Sequence, residues 1–88
     1  MAIALITGTS SGIGRLTAET LAREGHTVYA TMRDRNGRNR DAGDALLRLA
    51  KEQSLAIRVF DMNVKDESAI QDAVGEILRD ASRIDIVR

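Results

Sequence analysis

The stretch Thr7-Gly8-Thr9-Ser10-Ser11-Gly12-Ile13-Gly14 joins an apolar run, Ala2 to Thr7, to a segment of helical period, Ile13 to Glu24. Few folds accept such a junction. A short apolar run that stops at glycine suits a strand buried on both faces. The segment after it repeats at about 3.6 residues, with Ile13, Leu16, Thr20 and Leu21 on one face, and Gly25 stands where a helix-closing glycine belongs. The same alternation then recurs. Thr27-Val28-Tyr29-Ala30-Thr31-Met32 is rich in β-branched residues and predicts a second strand. Arg33 to Arg40 is polar, carries an Asn36-Gly37 turn signal, and predicts a loop.

Asp41 or a neighbour is expected to cap a second helix whose apolar stripe is Leu46, Leu47, Leu49 and Ala50. Ala56 to Met62, with Ile57, Val59 and Phe60, predicts a third strand. Asp66 is placed to cap a third helix, in which Ile70, Val74, Ile77, Leu78 and Ala81 hold helical spacing. Ile84 to Val87 begins a fourth strand. Strands alternating with helices imply right-handed crossovers and a parallel sheet. The expected class is therefore α/β: a Rossmann-type, three-layer α/β/α arrangement, of which residues 1–88 form the N-terminal βαβαβαβ portion of one domain. The first two helices should cover one face and the third the other. Ligands of such sheets bind at the carboxyl ends of the strands, near the switch point between the first and fourth. A sheet of this kind leaves an open edge and apolar surface, which predicts self-association into a homo-oligomer.

Composition narrows the function. Lys+Arg and Asp+Glu both number 13, and this balance argues against nucleic acid or a membrane surface as a partner. Cysteine is absent, which excludes disulfides and thiolate metal sites, and no other ligand set suggests a metal. No apolar run is long enough for a bilayer, and the N-terminus lacks the basic flank of a signal peptide, so the expectation is a cytoplasmic protein.

The glycine-rich turn then acquires a chemical meaning. Gly8 permits the tight exit from the strand, Gly12 removes a side chain where a diphosphate would approach, and Gly14 lets the helix pack closely on the sheet. Free N–H groups at the helix start would face the phosphates, with Thr9, Ser10 and Ser11 adding hydroxyl donors. A serine- and glycine-rich turn without a ligand is the plainer alternative, but the strand before it and the helix after it favour phosphate binding. A P-loop requires Gly-Lys-Ser/Thr; this turn continues Gly14-Arg15-Leu16.

Thr-Gly-x-x-x-Gly-x-Gly resembles the coenzyme motif of the short-chain dehydrogenase/reductases. It differs in spacing from the Gly-x-Gly-x-x-Gly of most other Rossmann enzymes and from the motif of the family's extended branch. The resemblance spans the whole chain but only the leading part of the family's domain. It implies a nicotinamide dinucleotide cofactor and an alcohol or ketone substrate. The second strand ends Ala30-Thr31-Met32-Arg33-Asp34. An acid there would bind the ribose hydroxyls of NAD, whereas Arg33 can clamp the 2′-phosphate of NADP with its planar fork, assisted by Ser11. The segment resembles NADP-preferring members, including 17β-hydroxysteroid and retinol dehydrogenases, and NADP is the expected cofactor. Arg33 as a solvated loop charge near Asp34, Arg35 and Arg38 is the competing reading. By the same resemblance, Asn63 and Val64 stand where the family contacts adenine, although the family carries Asp-Val there; Asp61 competes for the role. Ile13 completes the implied cofactor wall.

The family's chemistry needs a Tyr-x-x-x-Lys pair and a serine. The only tyrosine, Tyr29, lies inside the second strand and is followed four residues later by Arg33, so it is expected to pack rather than react. His26, after the helix-ending glycine, is expected to be a solvated turn residue. No catalytic residue is assigned, and the chain alone should not transfer hydride. A truncated gene product, a fragment and a minimal nucleotide-binding or self-associating module all fit.

Overall fold

The computed structural model describes residues 2–10 and 12–88. Its elements run β1 (Ile3–Ile6), α1 (Gly12–Arg23), β2 (Thr27–Met32), α2 (Arg40–Gln53), β3 (Ile57–Asp61), α3 (Glu67–Ala81) and β4 (Ile86–Val87). The four strands form one parallel sheet in the order β3-β2-β1-β4. The chain steps outward from β1 to β3 and then crosses back to the far side of β1. Crossovers of a single hand require α1 and α2 on one face and α3 on the other, and the two cores divide in that way. Ala4, Ile6, Val28, Ala30, Met32 and Ile57 meet Ala18 and Ala22 of α1 and Leu46 and Ala50 of α2. Ile3, Leu5 and Tyr29 meet Ile77 of α3. Period-2 alternation assigns these neighbours to opposite faces.

Local signals place several boundaries. Asp66 caps α3, its carboxylate accepting from the Ala69 N–H at 3.3 Å. α1 closes at Gly25, where the Gly25 and His26 N–H groups donate to the Ala22 and Leu21 carbonyls. β3 and β4 are shorter than their apolar runs suggested, because pairing with β2 and β1 covers only part of each run.

Of the face expected for α1, only Leu21 packs on the sheet. Ile13 is 83% and Leu16 60% exposed. The helix instead turns Gly14, Ala18, Leu21 and Ala22, spaced i, i+4, i+7 and i+8, toward the sheet. Small residues win that face because they let the helix axis lie close to β1, whereas Ile13 and Leu16 would hold it off. Leu47 and Leu78 likewise stand 41% and 45% exposed, outside the stripes of α2 and α3. α2 is preceded by Asn39 rather than capped by Asp41, which lies within the first turn. His26 also departs from expectation: it is partly buried, and its Nδ1 accepts from the Ala2 N–H at 2.9 Å.

β4 is held to β1 by few backbone pairs, so side chains decide its docking. The Ile3 N–H donates to Asp85 Oδ2 at 2.8 Å, and Arg83 Nε donates to the same oxygen at 2.9 Å. Together, the backbone donor first and the guanidinium second, they hold the Asp85 carboxyl below its ordinary range. A carboxyl depressed by folding contributes stability above its unfolded value and loses it as pH falls through the folded value. Asp85→Asn is therefore expected to lower stability at neutral pH. It should also flatten the loss on acidification below the ordinary aspartate range. Urea midpoints across that range measure both effects, and an unchanged acid limb would contradict the assignment.

Candidate cofactor-binding site

The carboxyl ends of β1, β2 and β3 open on a cleft of about 430 Å³ lined by Thr7, Gly8, Ser10, Met32, Arg33, Arg38, Asn39, Met62 and Val64. Each strand contributes the residues just past its end, so the cleft is a product of the parallel topology. Of the residues expected from sequence, Gly8, Ser10, Arg33 and Val64 line it. Ser11 lies outside the described residues.

The glycines of the turn act through two different constraints. Gly12 adopts φ +64°, a left-handed conformation that favours glycine, and no atom lies within 4 Å of where a Cβ would stand. The space over the turn at the start of α1 is thus open to a phosphate group, and a side chain there would fill it. Gly14 is constrained by contact. A Cβ at Gly14 would run into the Gly8 carbonyl. The close approach is between the helix start and the end of β1, more specific than the helix-to-sheet packing expected.

Thr9 departs from its expected part. It is fully buried, and both its N–H and its hydroxyl donate to the Thr31 carbonyl, at 3.1 and 3.0 Å. Thr31 in turn donates its hydroxyl to the Ile6 carbonyl at 3.0 Å. This chain ties the turn to the ends of β1 and β2 and commits the Thr9 hydroxyl proton within the protein. Asn63 is exposed, and its side-chain oxygen accepts from the Lys65 N–H at 2.9 Å, an Asx turn that shapes the loop after β3. Ile13 stands outward on the first turn of α1 and, like Asn63, does not line the cleft. Tyr29 is 2% exposed and packs its ring against Phe60 with centroids 5.6 Å apart, as expected of a packing residue.

The loop from Arg33 to Asn39 holds what sequence reasoning missed. Asp34, at φ +53°, turns its carboxylate into its own loop, where it accepts from the Arg38 N–H at 3.1 Å. Its carbonyl accepts from the N–H groups of Gly37 and Asn39. Asn39 precedes α2 without capping it; its side-chain amide instead donates to the Arg33 carbonyl. Arg35 leaves the cleft to pair with Asp44 at 2.9 Å over Gly43. Arg33 and Arg38 remain on the cleft, and among the described residues no carboxylate pairs with either. The polar loop signal was visible in sequence, but not which of its arginines faces inward. Among the described residues no cluster of three or more His, Asp or Glu could hold a metal ion, and no helix is long and apolar enough to cross a membrane.

The family description "short chain dehydrogenase" matches residues 2–88. The chain belongs to this family. It is 37% identical over 84 residues to gluconate 5-dehydrogenase of Gluconobacter oxydans, covering 96% of this chain and 31% of that protein. It is 31% identical over 85 residues to 3-ketodihydrosphingosine reductase of Bacteroides thetaiotaomicron, covering 97% of this chain and 26% of that protein. Among solved structures it is similar to a short-chain dehydrogenase from Streptomyces avermitilis, with TM-score 0.81 and 28% identity, over 98% of this chain and 29% of that one. The chain thus spans about a quarter to a third of its relatives' length. Short-chain dehydrogenases are oxidoreductases that work with a nicotinamide dinucleotide. The glycine turn, open above Gly12, and the cleft beyond it suit such a group.

Proposed function

We propose that this chain is the NADP-binding portion of a short-chain dehydrogenase that interconverts alcohols and carbonyls. The observation that carries the cofactor preference is a pair of arginines, Arg33 and Arg38, on a cleft from which the neighbouring acid, Asp34, is turned away into its own loop. A carboxylate poised for the ribose hydroxyls of NAD would need to face the cleft. A guanidinium there favours a 2′-phosphate.

In this reading Gly8, Gly12 and Gly14 shape the turn that receives the diphosphate. N–H groups of α1's first turn and the Ser10 hydroxyl donate to it, and Thr9 holds the turn in place. Val64 walls the nucleotide; the family resemblance adds Ile13 and Asn63 as further contacts, although neither lines the cleft. When bound, the dinucleotide supplies the nicotinamide that carries hydride. The chain's own residues bind and orient it. The 88 residues contain no Tyr-x-x-x-Lys pair, and their one tyrosine is buried in the sheet, so the chain alone is expected to bind without turnover. Absorbance of NADPH with a panel of ketones checks this; any sustained oxidation above the blank would overturn it. The exposed Leu16 and Val87 support a further proposal, association with a second copy in the cytoplasm, which light scattering tests.

The cofactor preference is tested by titrating NADP and NAD against wild type and Arg33→Ala. A charge-assisted phosphate contact contributes about 1.5–3 kcal/mol, so the variant should bind NADP roughly ten- to a hundredfold more weakly. NAD affinity should hardly change. Equal affinities of the wild type for the two dinucleotides would remove the proposal.

A further inference from the structure

We infer that Arg38 is a second residue that selects the 2′-phosphate, held in place by Asp34 and Asn39; this rests on the NADP reading above. The loop before α2 carries Arg33, Arg35, Arg38 and then Arg40 at the helix start. A solvated run of charge would scatter these side chains without pattern. The structure sorts them instead. Arg35 is neutralised by Asp44 and faces a different hollow, between β3 and α3. Arg33 and Arg38 share the cleft at the carboxyl ends of the strands and lack a carboxylate partner among the described residues.

Two cationic residues on one cleft make it attractive to an anion. A phosphomonoester dianion can accept from both forks at once, whereas a ribose hydroxyl offers neither the charge nor the oxygens. The backbone that carries the two arginines is tied at both ends. Asp34 accepts from the Arg38 N–H, and Asn39 reaches back to the Arg33 carbonyl. Asn39 gives up its side-chain cap on α2 to make this link. An asparagine before a helix ordinarily uses its side chain on the first turn, so the diversion marks the loop as the structure it supports. Asn39 and Asp34 are positioning residues; Arg38 is the one that would touch phosphate.

The test measures NADP, NAD, adenosine 2′,5′-bisphosphate and 5′-AMP affinities for wild type, Arg33→Ala, Arg38→Ala, Arg38→Lys and Asn39→Ala, with thermal midpoints alongside. Arg38→Ala should weaken NADP and the bisphosphate by about tenfold, leave NAD and 5′-AMP within about twofold, and keep the midpoint. Arg38→Lys should recover part of the loss by restoring charge without the fork. Asn39→Ala should weaken the 2′-phosphate ligands selectively. Suppose the wild type prefers NADP and Arg33→Ala abolishes that preference while Arg38→Ala leaves it intact. The inference then falls and the NADP reading stands. A wild type with no preference at all would remove the NADP reading, and this inference with it.

Discussion

Gly14→Ala is expected to unseat α1 and to weaken NADP and NAD together. The added Cβ would overlap the Gly8 carbonyl, standing 2.7 Å from its carbon and 3.0 Å from the Thr7 oxygen. Those atoms cannot give way. The Thr7 N–H donates to the Arg88 carbonyl at 2.6 Å, and Thr9 is doubly bound to the Thr31 carbonyl. The helix must therefore move outward, drawing Ala18 and Ala22 from the core. Forcing a methyl against fixed backbone costs about 3 kcal/mol or more. A chain this small holds a total on the order of 5–10 kcal/mol. Thermal melts should show a large fall in midpoint. The loss of both dinucleotides distinguishes this variant from Arg33→Ala, which should affect NADP alone. Gly75→Ala is the control: nothing lies within 4 Å of its would-be Cβ inside α3, so it should stabilise by up to about 1 kcal/mol. A Gly14→Ala protein that melts like wild type would show that the close approach to β1 is not needed.

Ile77→Ala should be the most damaging truncation on the opposite face. There α3 buries Ile77 completely against Ile3, Leu5 and Tyr29, and the remaining neighbours, Phe60, Val74, Ala81 and Ile84, are only partly covered. Removing the central side chain of so thin a layer leaves a cavity that few atoms can close, at a cost of about 2–5 kcal/mol. Because α3 delivers the chain to β4, its loosening should also release the Asp85 contact with Ile3. Hydrogen exchange at the Ile3 amide, compared with amides of β2, would detect that release. Equal protection in variant and wild type would argue that α3 is not what seats β4.

The alternation of strand and helix could be read directly from the sequence, because each signal is local. The β-branched run Thr27–Met32 became a strand with those bounds, and Asp66 capped α3 as its position predicted. The glycine turn was also legible, since a strand, a turn and a helix that succeed one another within a few residues leave little choice of geometry. The candidate site was legible in part. Gly8, Ser10, Arg33 and Val64 reached the cleft, while Arg38 and Asn39 joined it unannounced. The path of a polar loop depends on hydrogen bonds that no periodicity encodes.

The amino-acid order by itself determined the α/β class, the succession of elements and the open turn after β1, since propensity, capping and hydrophobic period act over a handful of residues. Only the tertiary structure decided which face of α1 packs, where the Thr9 hydroxyl is spent, which arginines face the cleft and what seats β4. Each of those outcomes depends on a partner brought near by the fold, as Thr31 lies 22 and Asp85 lies 82 positions from the residues they bind.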